Sequence, residues 1–180
     1  MQNHSGRPSE RTRSRAGAVL ILTTLFGTAA VLGPALTPSK IRLVWNASSS
    51  VAKGLYLVLP AATLRRGDMV LARAPSQARR VAAERRYIPF NVPLIKRVSG
   101  LPGERLCAAG LIVTIGGRKA ATRRQRDPRG RPLRPFEGCR RLGRNQYLLL
   151  GTGQLSFDGR YFGPSERRDI IGRARPLWER

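Results

Sequence analysis

Residues 48–56 of the chain read SSSVAKGLY, and this stretch decides how the rest of the sequence is interpreted. Small hydroxyl residues followed by glycine favour a serine nucleophile at this point. A serine hydroxyl needs a base, which is usually histidine, but the only histidine is His4, in a polar tail. A Ser-His-Asp triad and a Cys-His pair are therefore excluded. A lysine base remains, because burial can keep an amine neutral near pH 7, and the candidate is Lys96.

Lys96 lies among apolar residues in the segment 94–98, LIKRV, which predicts a β-strand. A lysine in such a strand normally extends to water, and a shift of one residue would turn it to the other face of a sheet. The pattern alone therefore does not separate Lys96 from Arg97 or Lys53 as the base.

Composition gives the chain a hydrophobic core together with a strong positive charge. Of its 180 residues 41% are hydrophobic, while the formal net charge is +24 and the pI is near 11.9. Such a charge suits a nucleic-acid binder or a protein at an anionic membrane surface. Residues 118–144 are dense in arginine, but the sequence has no recognition-helix pattern, zinc spacing or aromatic-studded strand. We therefore expect a solvated basic surface and no specific nucleic-acid binding.

The N-terminal region predicts a membrane anchor. Residues 1–15 form a polar, arginine-containing tail, and residues 16–39 contain no charged residue. A span of about 20 apolar residues is long enough to cross a bilayer as a helix, so residues 16–37 are interpreted as a single transmembrane anchor. A cleaved signal peptide, with an apolar region of roughly 7–15 residues, is the alternative. The positive-inside rule places the N-terminus in the cytoplasm and residues 38–180 in the periplasm, beyond the inner membrane.

The two cysteines, Cys107 and Cys139, both follow the predicted anchor. Two cysteines without a nearby histidine cannot build a zinc site, and a disulfide is their natural use in an oxidising compartment. Such a bridge would close a loop around the arginine-rich segment and stabilise the fold by about 3–4 kcal/mol in the chain-entropy account. Two unpaired buried thiols are the alternative.

The exported part predicts short strands at close spacing, which indicates a mainly β, antiparallel domain. A helix is predicted within residues 76–86. The predicted strands are residues 40–45, 54–60, 69–72, 94–98, 104–107, 111–115, 146–150 and 170–176.

Four segments resemble the ordered sequence boxes of the type I signal peptidases, and most closely those of the TraF-type conjugative-transfer branch. They are residues 46–56, 67–70, 95–104 and 156–164. The resemblance runs from the anchor to the C-terminus, and four boxes in order are far more specific than any one of them. It implies a signal-peptidase-like β domain after one N-terminal transmembrane helix.

The resemblance implies a Ser/Lys dyad. It assigns the nucleophile to Ser50, with Ser49 separated from it only by the register of the box, and the general base to Lys96. Ser48 takes the place whose hydroxyl, together with the Ser50 backbone N–H, would form an oxyanion hole. The family's usual proline two residues after the nucleophile is Ala52 here, a departure that removes no reactive atom.

The last box supplies supporting residues. Asp158 and Arg160 match its acid and its arginine, and the serine that often lies between them is Gly159. Ser156 takes the position whose hydroxyl can orient the lysine. As a purely structural alternative, Asp158-Gly159 is a favourable hairpin dipeptide.

The implied activity is that of a membrane-anchored serine endopeptidase that processes an exported precursor, the pilin of a conjugative type IV secretion system. Hydrolysis and cyclisation of the product share the same acyl step, and both remain open. The alternatives are a general type I signal peptidase and a non-enzymatic basic subunit of a transfer apparatus that contacts DNA or lipid. The expected partners are the precursor, membrane lipid and other transfer proteins, with no metal or cofactor.

Overall fold

The computed structural model describes residues 19–29 and 42–179, and the chain divides into two units, residues 1–40 and 41–180. The predicted tail, residues 1–15, lies outside the described residues. Of the predicted anchor, residues 16–37, only a helix over residues 19–29 (α1) is described. Within the described ranges, no helix combines the length and the apolar character needed to cross a membrane. The anchor therefore stays a prediction.

The second unit is built mainly from short strands. Two short helices, α2 (Ser76–Glu84) and α3 (Gly159–Phe162), and one turn of 3-10 helix (Arg167–Asp169) accompany them. The strands are β1 (Arg42–Asn46), β2 (Gly54–Leu59), β3 (Met69–Ala72), β4 (Leu94–Gly100), β5 (Arg105–Ala109), β6 (Ile112–Ile115), β7 (Arg118–Thr122), β8 (Gly138–Arg141), β9 (Gln146–Leu150), β10 (Ser165–Glu166) and β11 (Ile170–Glu179).

The strands form two sheets in which each pair of neighbours is antiparallel. The larger sheet has the order β1-β2-β11-β3-β4-β9-β10, and the smaller has the order β7-β6-β5-β8. The prediction of a mainly antiparallel β domain is therefore confirmed. The predicted strands at residues 69–72 and 146–150 match β3 and β9 at both ends.

Strand β4 lies inside the larger sheet, between β3 and β9, and this position decides the environment of Lys96. Lys96 is opposite Val70 of β3 and is 2% exposed, whereas its neighbour Arg97 is exposed. Val70 and Val98 belong to a buried apolar cluster. The strand thus buries Lys96 and leaves Arg97 at the surface, a choice that the sequence pattern left open.

The smaller sheet packs on a second apolar cluster, which reaches the larger sheet through Leu148 and Leu150 of β9. Cys107 of β5 and Cys139 of β8 are directly opposite each other and form a disulfide, as predicted. The bridge therefore fastens β8, all of whose residues are exposed, to a strand that has a buried face.

The arginine-rich segment is less uniform than the expected solvated surface. Most of its arginines are exposed, but Arg123 is 2% exposed. Its guanidinium donates to the carbonyl oxygens of Gly110 and Phe136 and pairs with the Glu137 carboxylate. A buried guanidinium needs such partners. The expectation of a solvated surface is wrong at Arg123, which fixes this segment to the smaller sheet.

Candidate active site

The nucleophile candidates lie in a loop that closes the β1–β2 hairpin. Asn46 at the end of β1 pairs with Gly54 at the start of β2, so residues 47–53 connect two strands held in register. Ser48, Ser49 and Ser50 all line the same cleft, which has a volume of about 420 Å³. The antiparallel pairing of β1 and β2 therefore presents the three hydroxyl residues to one cavity.

A chain of hydrogen bonds links the predicted nucleophile to the predicted base. Lys96 Nζ lies 2.6 Å from Ser156 Oγ, and Ser156 Oγ lies 3.2 Å from Ser50 Oγ. Within residues 42–179, Ser156 is the residue that joins them, since no direct hydrogen bond connects Lys96 to Ser50. The structure thus brings Ser50, Ser156 and Lys96 together as the family boxes imply, with Ser156 between the other two.

The environment of Lys96 disfavours the charged form of its amine. Burial lowers the pKa of Lys96 from 10.5 to about 8, with the Asp158 carboxylate acting in the opposite direction and the Arg160 guanidinium lowering it further. Removal from water disfavours the charged form of an amine, which is why burial is the dominant cause. An amine with a pKa near 8 is partly neutral at pH 7 and can accept the proton of a serine hydroxyl.

Asp158 and Arg160 form a buried ion pair beside this chain. Arg160 Nε lies 2.8 Å from Asp158 Oδ1, and Arg160 Nη2 lies 3.0 Å from Asp158 Oδ2. Asp158 is fully buried, and its Oδ1 also accepts from the Arg160 N–H, which caps α3. The hairpin alternative for Asp158-Gly159 is therefore wrong, because the dipeptide begins a helix. The pairing of the two charges compensates each of them in its buried position.

The ion pair also holds the backbone that supports Ser50. Asp158 Oδ2 accepts from the Gly151 N–H at 2.7 Å, and Arg160 Nη2 donates to the Gly151 carbonyl at 2.8 Å. The next residue, Thr152, donates its N–H to the Ser50 carbonyl at 2.7 Å. A Cβ on Gly151 would lie 2.4 Å from Ser156 Oγ and 2.8 Å from the Ser50 carbonyl oxygen, so only glycine fits here.

The other two serines of the loop differ from Ser50. Ser48 donates its hydroxyl to Asn46 Oδ1 at 2.9 Å, and in the described residues the Ser49 hydroxyl makes no hydrogen bond to Lys96 or Ser156. The geometry therefore favours Ser50 over Ser49 as the nucleophile. Ser48 lines the cleft beside Ser50, where the sequence boxes place an oxyanion donor.

A second polar cluster, around Tyr87 and Asp127, also lines the cleft. The Tyr87 hydroxyl donates to Asp127 Oδ2 at 2.6 Å, and Arg131 Nε donates to the same oxygen at 2.7 Å. Burial raises the pKa of Asp127, but hydrogen bonds from Tyr87 and Arg131 outweigh it and hold that pKa well below its usual range. Asp127 therefore stays ionised, and its Oδ1 accepts from the N–H groups of Arg129 and Arg131, which fixes this loop.

Comparison with known proteins places the chain in a family. The family described as signal peptidase, peptidase S26, matches residues 15–178. The chain belongs to this signal peptidase family. The resemblance of its four boxes to the type I signal peptidases is thereby confirmed.

Relatives of this signal peptidase chain point to its TraF-type branch. It is 30% identical over 186 residues to the probable conjugal transfer protein TraF of Sinorhizobium fredii, covering 92% of this chain and 93% of the relative. It is also 30% identical over 176 residues to a plasmid transfer protein TraF of Escherichia coli, covering 89% and 90%. Among solved structures, a signal peptidase I from Enterococcus faecalis aligns with a TM-score of 0.37 at 17% identity, covering 62% of this chain and 96% of that one.

Sequence reasoning missed two features of this signal peptidase site. Asp127 and Tyr87 lie 40 residues apart, and nothing local in the sequence connects them. Asn46 stands inside the first box, yet its contacts with the loop could not be inferred from spacing.

Among residues 19–29 and 42–179, no group of three or more His, Cys, Asp or Glu side chains could hold a metal ion.

Proposed function

We propose that this member of the signal peptidase family is a membrane-anchored serine endopeptidase with Ser50 as the nucleophile and Lys96 as the general base. The observation that carries the proposal is the hydrogen-bond chain from Ser50 through Ser156 to a buried Lys96. A serine beside a neutral amine is a known variant of serine-protease chemistry, and residues 42–179 contain no histidine that could replace the lysine.

In the proposed acylation step, Ser50 Oγ attacks the scissile carbonyl carbon of the substrate. The Ser50 proton moves to the Ser156 hydroxyl as the Ser156 proton moves to Lys96 Nζ. Lys96 becomes an ammonium, and its charge then lies near the Asp158 carboxylate, which favours the protonated form. The ammonium returns its proton to the leaving amine, since a base that accepts a proton in one half of the step can donate it in the other.

The tetrahedral intermediate needs donors for its oxyanion. Within residues 42–179 the Ser50 N–H has no protein acceptor, so it is free to donate to the oxyanion. The Ser48 hydroxyl is the second donor in the proposal. It reaches the oxyanion after rotating away from Asn46 Oδ1. One such donor is typically worth about 3 kcal/mol of transition-state stabilisation.

The proposed substrate is an exported precursor protein, the pilin of a conjugative type IV secretion system. The support is that relatives covering about nine tenths of the chain are named conjugal or plasmid transfer proteins. In this proposal residues 16–37 anchor the chain in the inner membrane, with the N-terminus in the cytoplasm and residues 38–180 in the periplasm. The Cys107–Cys139 disulfide suits that oxidising compartment. The net charge of +24 suits an anionic membrane surface.

Mass spectrometry of a co-expressed pilin precursor tests the proposal. We expect the precursor to be shortened by the wild-type chain and to stay uncut with Ser50→Ala. A cyclic product would lack one water relative to the linear product of the same cleavage, so the mass also separates cyclisation from hydrolysis. A precursor that stays uncut with the folded wild-type chain, combined with DNA binding that weakens steeply with salt, would favour the non-enzymatic alternative instead.

A further inference from the structure

Asn46, the last residue of β1, is buried, and its side chain forms hydrogen bonds with the nucleophile loop, residues 47–53. Its Nδ2 lies 3.0, 3.3 and 2.9 Å from the carbonyl oxygens of Ser48, Val51 and Ala52. Its Oδ1 accepts from the Ser48 N–H at 3.1 Å and from the Ser48 hydroxyl at 2.9 Å. Carbonyls on one side and donors on the other fix the orientation of the amide, because a flipped amide would lose all of these bonds.

The contact between Asn46 and Ser48 has a consequence for catalysis. A serine hydroxyl has one hydrogen, so while Ser48 donates to Asn46 it cannot donate to an oxyanion. A charged oxyanion is a stronger acceptor than a neutral amide oxygen, so the hydroxyl hydrogen would transfer to it only when negative charge develops. An interaction that forms in the transition state and not in the resting enzyme raises kcat rather than lowering KM.

We propose that Asn46 is a positioning residue that holds the Ser48 hydroxyl ready beside the oxyanion site and releases it when the substrate carbonyl becomes charged. This inference rests on the proposed peptidase function. Asn46 does not touch the substrate in this account. It acts through Ser48, while its Nδ2 fixes the carbonyls of the loop that carries Ser50.

A second residue, Tyr56, also anchors the nucleophile loop. The proposed role of Asn46 toward Ser48 can therefore be separated from simple support of the loop. The Tyr56 hydroxyl donates to the Ala52 carbonyl at 2.7 Å, so the far end of the loop is also held from β2. Burial and the neighbouring Glu179 carboxylate raise the pKa of Tyr56 to about 12, and the phenol stays protonated for this bond. Loss of Asn46 would therefore leave the loop attached at Ala52, while Ser48 would lose its acceptor.

A double-mutant cycle in the full-length chain tests the inference, with kcat and KM for a peptide spanning the cleavage site as the readout. The four proteins are the wild type, Asn46→Ala, Ser48→Ala and the double variant. We expect Asn46→Ala to lower kcat by about 10- to 100-fold with KM within about 2-fold, the scale of a weakened oxyanion donor. In the Ser48→Ala background, the same substitution should lower kcat by less than about 3-fold, since the residue it acts through is gone.

Controls keep the outcomes separate. Asn91→Ala removes an exposed asparagine amide that does not line the cleft and should leave both parameters unchanged. If Asn46→Ala does not fold, as its melting temperature will show, Asn46→Ser carries the same cycle. Equal fold losses of kcat with and without Ser48 would overturn the inference alone and leave Asn46 as a structural residue. A folded wild type that cleaves nothing would overturn the proposed function and this inference with it.

Discussion

Lys96 and Arg160 are two buried cations in one site, and the fold treats them differently. Arg160 pairs with Asp158 through two hydrogen bonds of 2.8 and 3.0 Å. Lys96 donates to a neutral hydroxyl at 2.6 Å, and within residues 42–179 no carboxylate lies within salt-bridge distance of it. One cation is therefore paired directly with a charge of opposite sign, whereas the other contacts only a hydroxyl dipole and feels the Asp158 charge from a greater distance.

These two environments show how neighbouring buried residues can include both a structural ion and a chemical base. An ion pair with good geometry keeps a buried guanidinium charged, and guanidinium does not deprotonate in proteins. A buried amine without such a partner loses part of its affinity for protons, which brings the pKa of Lys96 to about 8. If Lys96 instead of Arg160 were paired with the Asp158 carboxylate, Lys96 would stay charged and could not act as the base.

The largest expected effect comes from removing the dyad. Ser50→Ala and Lys96→Met should each lower kcat/KM by at least about 1,000-fold, because the nucleophile and its base act as a unit. Steady-state cleavage of the peptide substrate measures the loss, and circular dichroism verifies the fold. Lys119→Met, which removes an exposed lysine on β7, is the matched control and should retain wild-type activity. Retained cleavage by either dyad variant would refute the assignment.

The second effect is on stability, where the two cations should respond in opposite ways. Arg160→Met leaves the Asp158 carboxylate buried without a partner and should cost about 3–5 kcal/mol of unfolding free energy. The folded pKa of Lys96 lies below its ordinary value of 10.5, so burial of its ammonium opposes folding below pH 8. Lys96→Met should therefore stabilise the fold by about 1–3 kcal/mol at pH 7, and by less near pH 10.

Urea denaturation of each variant at pH 7 and pH 10 measures both free energies. Val98→Ala is a useful reference for the cost of altering the same strand, since it creates a cavity beside β4 without changing a charge. If Lys96→Met and Arg160→Met were destabilised to the same extent at pH 7, the contrast between paired and unpaired burial would be wrong.

The smallest expected effect concerns the influence of Asp158, the partner of Arg160, on the pKa of Lys96. The Asp158 carboxylate raises the pKa of Lys96, so Asp158→Asn should move the acidic limb of the kcat/KM profile to lower pH. The shift should be smaller than the lowering produced by burial, which is the dominant cause. A limb that moves to higher pH with this variant would show that Asp158 does not act on Lys96 through its charge.

The sequence predicted most strands because their apolar runs are short and bounded by turns. It failed where tertiary contacts override local pattern. Strands β7, β8 and β10 were not predicted, since their residues are mostly polar or small, and pairing with β6, β5 and β9 is what orders them. Local sequence does not distinguish Arg123 from the exposed arginines, because its burial depends on contacts with Glu137 and two carbonyl oxygens.

The residues of the candidate site were predicted from the resemblance to the signal peptidases. Their geometry became known only from the structure. Residue pattern did not separate Lys96 from Arg97, because both lie in one strand and only the pairing with β3 and β9 decides which side chain is buried. Ser156 was expected to orient the lysine, and its place between Lys96 and Ser50 emerged from the structure. The contacts of Asn46 follow from the conformation of a seven-residue loop, which spacing cannot supply.

The most direct test of the central claim is a titration of Lys96 itself. Carbon-13 labelling at Cε of lysine gives signals from Lys40, Lys53, Lys96 and Lys119, and the Lys96 signal is the one missing from Lys96→Met. In the Ser50→Ala variant, which prevents turnover, we predict that Lys96 titrates with a midpoint near 8, well below the ordinary lysine value of 10.5. A Lys96 midpoint close to 10.5 would contradict the account, because an amine charged throughout the neutral range cannot serve as the base.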